Sequence, residues 1–157
     1  MKLLIAGAGS PVGKELIYQL KEQDVSYCVI PDRLLLSRDQ PGLDQLVKRH
    51  RPGQLINLHQ FKPNSQLALE RAETQPEECA QSHVHNTRVL TALAGRHDLP
   101  LLHLSTCYVF DGEKRLAYNE QDEVNPVGIY GRTALRGERE VENLERSIIL
   151  RTGWLFG

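Results

Sequence analysis

The sequence predicts an α/β fold, a parallel sheet covered by helices on both faces in a three-layer α/β/α arrangement. Short β-branched or leucine-rich runs recur at 2–6, 26–30, 54–58, 99–105 and 147–152, and segments with helical spacing of apolar residues lie between them. Strands and helices that alternate in this way build a parallel sheet, because a parallel pair needs a crossover long enough to hold a helix.

The first run ends in Gly7-Ala8-Gly9-Ser10-Pro11-Val12-Gly13 and leads into a helix over 12–22, with Val12, Leu16, Ile17 and Leu20 on one face. Ser10 suits the N-cap and Pro11 the first helical position. After the second run come Pro31-Asp32-Arg33 and a short helix over 43–50, stopped by Pro52-Gly53. A long helix over 78–96 sets Val89, Leu90, Leu93 and Ala94 on one side, and a charged helix over 131–145 precedes the last run. The expected result is five parallel strands in Rossmann order, a doubly wound sheet forming one domain over 1–157.

Composition excludes several classes. Lys plus Arg total 19 against 20 acidic residues, a net charge of -1, and no basic stripe with interleaved aromatics points to nucleic acid. The N-terminal apolar run is too short for a membrane span and lacks a signal-peptide layout, so a cytoplasmic protein is expected. Cys28, Cys79 and Cys107 are odd in number and lack CxxC spacing, which favours free thiols over a disulfide framework or a zinc site.

The turn at Gly7, Gly9, Ser10, Pro11, Val12 and Gly13 occupies the phosphate-binding position of a Rossmann unit, where backbone N–H groups and the helix dipole meet a pyrophosphate. Its spacing is irregular: Val12 stands where GxGxxG has its third glycine, and Ser10 where GxxGxxG has its second. A turn that merely joins strand to helix is the plain alternative. Asp32 stands where an acidic residue meets an adenine ribose, and Arg33 beside it suits a 2'-phosphate, which leaves NAD and NADP both open. A solvated turn is the competing role for that pair.

The fourth run leads into Leu104-Ser105-Thr106-Cys107-Tyr108-Val109-Phe110-Asp111-Gly112, followed by Asn125-Pro126, Tyr130-Gly131 and Gly137-Glu138. With Asn86 in the long helix and Arg151-Thr152-Gly153-Trp154, these strings resemble the extended short-chain dehydrogenases/reductases, specifically the dTDP-4-dehydrorhamnose reductases. The resemblance implies hydride transfer from NADPH or NADH to the C4 ketone of a dTDP-linked nucleotide sugar. It also implies that Thr106, with Ser105 beside it, holds the carbonyl and that Tyr130 donates the proton. Without the resemblance, Ser105 and Thr106 are polar residues at the carboxyl end of a strand, where open α/β sheets bind ligands. Tyr130 is then an amphipathic aromatic at a helix start.

Three departures point to an impaired site. The family's Tyr-x-x-x-Lys lysine is Ala134, one helical turn from Tyr130, so the charge that favours tyrosinate is missing. Arg132 and Arg136 project elsewhere on the helix, and nothing in the sequence brings Lys14 or Lys62 to the site. Leu58-His59-Gln60 replaces the small residues that leave room for the cofactor, His59 itself reading as an ordinary polar group at a strand end. The C-terminal substrate domain that the resemblance implies is absent from these 157 residues. Trp154, Leu155 and Phe156 after the last strand are expected to leave an apolar surface that favours self-association. Two readings follow: an impaired sugar-nucleotide reductase, or a lapsed homologue serving as a nucleotide-binding or regulatory partner subunit, alone or as a homo-oligomer.

Overall fold

The computed structural model describes residues 1–61 and 67–153, so the expectations for Lys62 and for Trp154, Leu155 and Phe156 lie outside the described residues. Five strands, β1 (Leu3–Ala6), β2 (Tyr27–Val29), β3 (Gln54–Asn57), β4 (Leu101–Thr106) and β5 (Ser147–Thr152), pair in parallel in the order β2-β1-β3-β4-β5. This is the expected doubly wound sheet, and its order reverses between β1 and β3. The six-stranded Rossmann order places another strand outside β2. Here Pro31 holds an extended N-cap and the chain turns at once into helix α2 (Asp32–Leu36), which leaves β2 at the edge.

Helix α1 (Pro11–Glu22) begins as expected, with the Ser10 hydroxyl accepting from the Gly13 N–H at 3.0 Å. Helix α3 (Gln40–His50) starts three residues early, because Asp39 caps it through the Gly42 N–H. It stops at Arg51, whose φ of 46° is left-handed, one residue before Pro52. The expected long helix is three pieces: α5 (Pro76–Ala80), a π-turn at Gln81–His85, and α6 (Asn86–Arg96). Helix α4 (Ala68–Thr74), like α2, is a short helix that apolar periodicity did not reveal. Helix α7 (Ile129–Glu142) starts two residues early, where Glu73 Oε1 accepts the Ile129 N–H at 2.7 Å and caps it from outside.

Alternation along the strands sorts two cores. Leu4, Ala6, Leu55 and Leu101 pack with Leu43 and Val47 of α3, Leu90, Leu93 and Ala94 of α6, and Val141 of α7. On the other face Leu3, Ile5, Ile56, Leu58 and Leu104 pack against Val12, Leu16, Ile17 and Leu20 of α1. That second face is open over β5, where Ile148 and Leu150 are 62% and 47% exposed.

A buried charge seats α7. The Glu138 side chain has no solvent exposure, and its carboxylate accepts from Arg151 Nη2 at 2.7 Å, from Arg151 Nε at 3.0 Å and from the Ser105 hydroxyl. Helix α7 is thereby tied to the carboxyl ends of β4 and β5. Two neutral histidines complete the polar interior. His83 Nε2 accepts the Phe61 N–H, so its proton sits on Nδ1 and is donated to Thr133 Oγ1 at 2.9 Å. Asn57 donates to both His103 Nδ1 and Thr87 Oγ1, while its carbonyl oxygen accepts the His59 N–H. Burial above all holds the His83 pKa down at about 3 and that of His103 at about 4.

Two measurements check this interior. Glu138→Gln leaves the Arg151 charge facing a neutral amide and is expected to cost about 3 kcal/mol in urea denaturation. A loss under about 0.5 kcal/mol, the size of an ordinary surface substitution, would show that the ion pair is not what seats α7. The histidines make stability fall with acid: their folded pKa values lie below the unfolded value near 6.5, so the unfolded chain binds more protons. Stability is fully present above about pH 6.5 and is expected to drop by about 2 kcal/mol between pH 6 and 5, with a smaller drop in a His83→Asn variant that folds.

Candidate functional site

Three segments converge at the carboxyl ends of β1, β3 and β4: the glycine turn, the turn after β3, and the start of α7. Gly7 adopts φ +78°, and a Cβ there would lie 2.6 Å from the Leu58 carbonyl carbon. Only glycine allows that approach. A Cβ on Gly13 would come within 2.5 Å of Gly7 O, whereas one on Gly9 would meet nothing within 4 Å. The structure therefore resolves the irregular spacing in favour of Gly7, Ser10 and Gly13, with Val12 packed into the α1 core and Gly9 at the open tip. The Ser10 hydroxyl also donates to Gly7 O at 2.8 Å, so it locks the turn from inside.

Asp32 is the first residue of α2 and largely exposed, with Arg33 exposed beside it. The Asp32 carboxylate does not face open solvent alone: His59 Nε2 lies 3.4 Å from its Oδ1. That nitrogen is buried and makes no well-aligned hydrogen bond, so His59 is not the ordinary satisfied polar group the sequence suggests. Burial pushes its pKa down, and Asp32 only partly offsets this.

Thr106, Tyr130 and Ala134 line one small cavity of about 10 Å³, joined by Ser105, His59, Gln60, His83 and His103. The Tyr130 ring sits edge-on to His83 at 4.8 Å and to Tyr108 at 5.8 Å. Burial pushes the Tyr130 pKa up to about 12, reinforced by Cys79, Tyr108 and Cys107. Ala134 is buried one turn on and supplies no charge to reverse this. The Thr106 hydroxyl accepts the Tyr108 N–H at 3.3 Å. Ser105 lines the same cavity, and its hydroxyl donates to Glu138.

Glu138 enters the Gly137-Glu138 string with no role of its own, and nothing local in the sequence marks His83 or His103. Among the described residues no group of His, Cys, Asp and Glu is arranged to hold a metal. What those residues do is position: they carry the strand end and the helix that bring Thr106 and Tyr130 together. Glu73, which caps α7 just before Tyr130, carried no signal because its partner is 56 residues away.

The resemblance implies a nicotinamide dinucleotide, and the residues present fit it poorly. Pro11 has no N–H, and those of Ser10 and Gly13 are spent on Gly7 O and Ser10 Oγ, which thins the donors facing a pyrophosphate. The cavity's volume of about 10 Å³, room for no more than one water, is far below the roughly 300–1,000 Å³ of ordinary ligand pockets. His59 and Gln60 occupy its wall, and Ala134 offers nothing to hold a ribose. In this arrangement the nicotinamide half does not fit.

Comparison with known proteins gives a consistent answer. The family model described as the RmlD substrate binding domain matches residues 1–157. A dTDP-4-dehydrorhamnose reductase of Aggregatibacter actinomycetemcomitans is 31% identical, over 99% of this chain and 52% of that protein. A probable dTDP-4,6-dihydroxy-2-methyloxan-3-one 4-ketoreductase of Streptomyces antibioticus is 33% identical, over 100% of this chain and 52% of its own length. Among solved structures, the dTDP-4-dehydrorhamnose reductase of Clostridium acetobutylicum matches with a TM-score of 0.87 at 31% identity, covering 100% of this chain and 55% of that one. That of Bacillus anthracis, solved in complex with NADP, matches with a TM-score of 0.86 at 25% identity, covering 99% and 54%. The chain spans about half the length of the curated relatives it matches. Among the described residues no helix is long and apolar enough to cross a membrane. Full-length agreement with the family model, together with these relatives, places the chain in the RmlD substrate binding domain family.

Proposed function

We propose that the chain is the dinucleotide-domain half of a dTDP-4-dehydrorhamnose reductase-like protein, in which NAD(P)H-dependent reduction of a 4-keto sugar nucleotide is impaired. The observation that supports this most directly is Tyr130, set beside Thr106 on one cavity but with Ala134 beneath it and its pKa near 12. Thr106 is the residue assigned to a substrate carbonyl, and Tyr130 the residue assigned to its proton. Ser105, held by Glu138, orients the strand end instead. A phenol with a pKa that high releases its proton reluctantly at neutral pH, and a nearby ammonium would stabilise the phenolate. Glycine-turn residues Gly7, Ser10 and Gly13, with Asp32 and Arg33, are assigned to whatever part of a nucleotide the crevice admits.

A second reading, a lapsed homologue acting as a partner subunit, is favoured by one observation. Ile148 and Leu150 stand exposed on the sheet face that α1 leaves uncovered. Sedimentation at several concentrations is expected to show self-association at tens of micromolar, and a monomer throughout would remove the support for this reading.

The primary reading makes two expectations. This chain mixed with NADPH and dTDP-4-dehydrorhamnose should show no oxidation above the blank, and sustained substrate-dependent oxidation would overturn the impairment. Ala134→Lys should lower the Tyr130 pKa by roughly one to three units, the usual effect of an opposite charge within a few ångströms. Ultraviolet titration against the Tyr130→Phe background reads it, and an unchanged pKa would mean that position 134 does not act on Tyr130.

A further inference from the structure

The turn after β3 is pinned at every step except one. The Leu58 N–H is donated to Ala6 O, that of His59 to Asn57 Oδ1 and that of Phe61 to His83 Nε2, while the Leu58 and Phe61 side chains are buried. Between these anchors the His59 side chain leaves β3 and meets Asp32 at the start of α2, just past β2. In the sheet order β2-β1-β3, that contact passes over the carboxyl end of β1 and its glycine turn. Strands two apart lie roughly 10 Å from each other, so the His59–Asp32 pair bridges the carboxyl ends of β3 and β2 across β1, beside the switch point.

From this placement we propose that His59 is the specificity-determining residue of the crevice: closed onto Asp32, it bars a dinucleotide from lying across the glycine turn. The inference rests on the reading of the chain as a nucleotide-binding domain and adds the residue that controls access to it. A ligand that crosses from the Asp32 end to the Thr106 end must first break the His59–Asp32 contact and move the ring. No backbone rearrangement is needed, because the turn's own hydrogen bonds involve main-chain groups and the neighbouring side chains of Asn57 and His83. The steric block across the glycine turn thus lies in one side chain, and removing it opens that route while the thinned phosphate donors and Ala134 stay as they are.

The test is calorimetric titration of the chain and its variants with NADPH and with NADH. His59→Ala is expected to bind at least one of them roughly tenfold more tightly than the parent, about 1.4 kcal/mol. Gln60→Ala, which trims the same cavity wall without touching the Asp32 contact, is expected to gain clearly less than His59→Ala. Thermal melting verifies that each variant is folded, and His59→Asn, which shortens the side chain but keeps a polar group, carries the test if His59→Ala is not. Weak binding by the parent and equally weak binding by the folded His59 variant overturns the inference and leaves the impaired-reductase reading standing. An equal gain from Gln60→Ala also overturns it, because the block is then general bulk. Tight binding by the parent overturns both.

Discussion

A carboxylate with no access to water sets the terms for the site. Glu138 is tolerable in the interior only because Arg151 meets it through two nitrogens and Ser105 supplies a further hydrogen bond. These partners lie on β5 and β4, so satisfying the charge fixes both the rotation and the position of α7 on the sheet. Tyr130 and Ala134 are on the same helix, and their presentation toward the end of β4 follows from that seating. Glu73 at the start of α7 and the His83–Thr133 hydrogen bond at its flank hold the same helix from two other directions.

On the proposed reading, a well-built scaffold surrounds weakened chemistry. The elements that position Thr106 and Tyr130 are tied together by hydrogen bonds of Glu138, His83 and Glu73, while His59 Nε2 beside them makes no well-aligned hydrogen bond. What has changed is the electrostatics of the tyrosine and the room beside it. A lysine one turn along α7 would counter the burial that raises the Tyr130 pKa; alanine leaves burial unopposed. The fold tolerates the exchange at no structural cost, because a small apolar side chain is easily accommodated at a buried position on α7. On the proposed reading, folding and catalysis make separate demands on this helix, and only the first is met in full.

The crevice at the switch point shows the same separation. Gly7 and Gly13 keep the close approaches that a Rossmann turn needs, and those approaches are structural requirements whether or not a phosphate arrives. The side chains that line the route of a ligand are less constrained by folding. His59 is held by its backbone, and its ring reaches Asp32, the carboxylate assigned to a nucleotide in the proposed reading.

Much of the architecture was legible in the residues alone. The five strands follow from short apolar runs separated by helical spacing, and α1 follows from Ser10, Pro11 and a periodic apolar face, because these signals are local. The short helices α2 and α4 were not legible: each is about two turns or less, too short for periodicity to register, and Pro31 redirects the chain where another strand is the Rossmann expectation. The sequence by itself determined the fold class through local apolar spacing, and its resemblance to a known family implied the pairing of Thr106 with Tyr130 and the absence of a lysine at Ala134. Only the tertiary structure decided that Gly13 takes the close-packing role, that Ser105 turns to Glu138 and that His59 closes onto Asp32. Those outcomes depend on which side chains meet across 6 to 33 positions of chain, and packing and the pairing of buried charge settle that after the segments have come together.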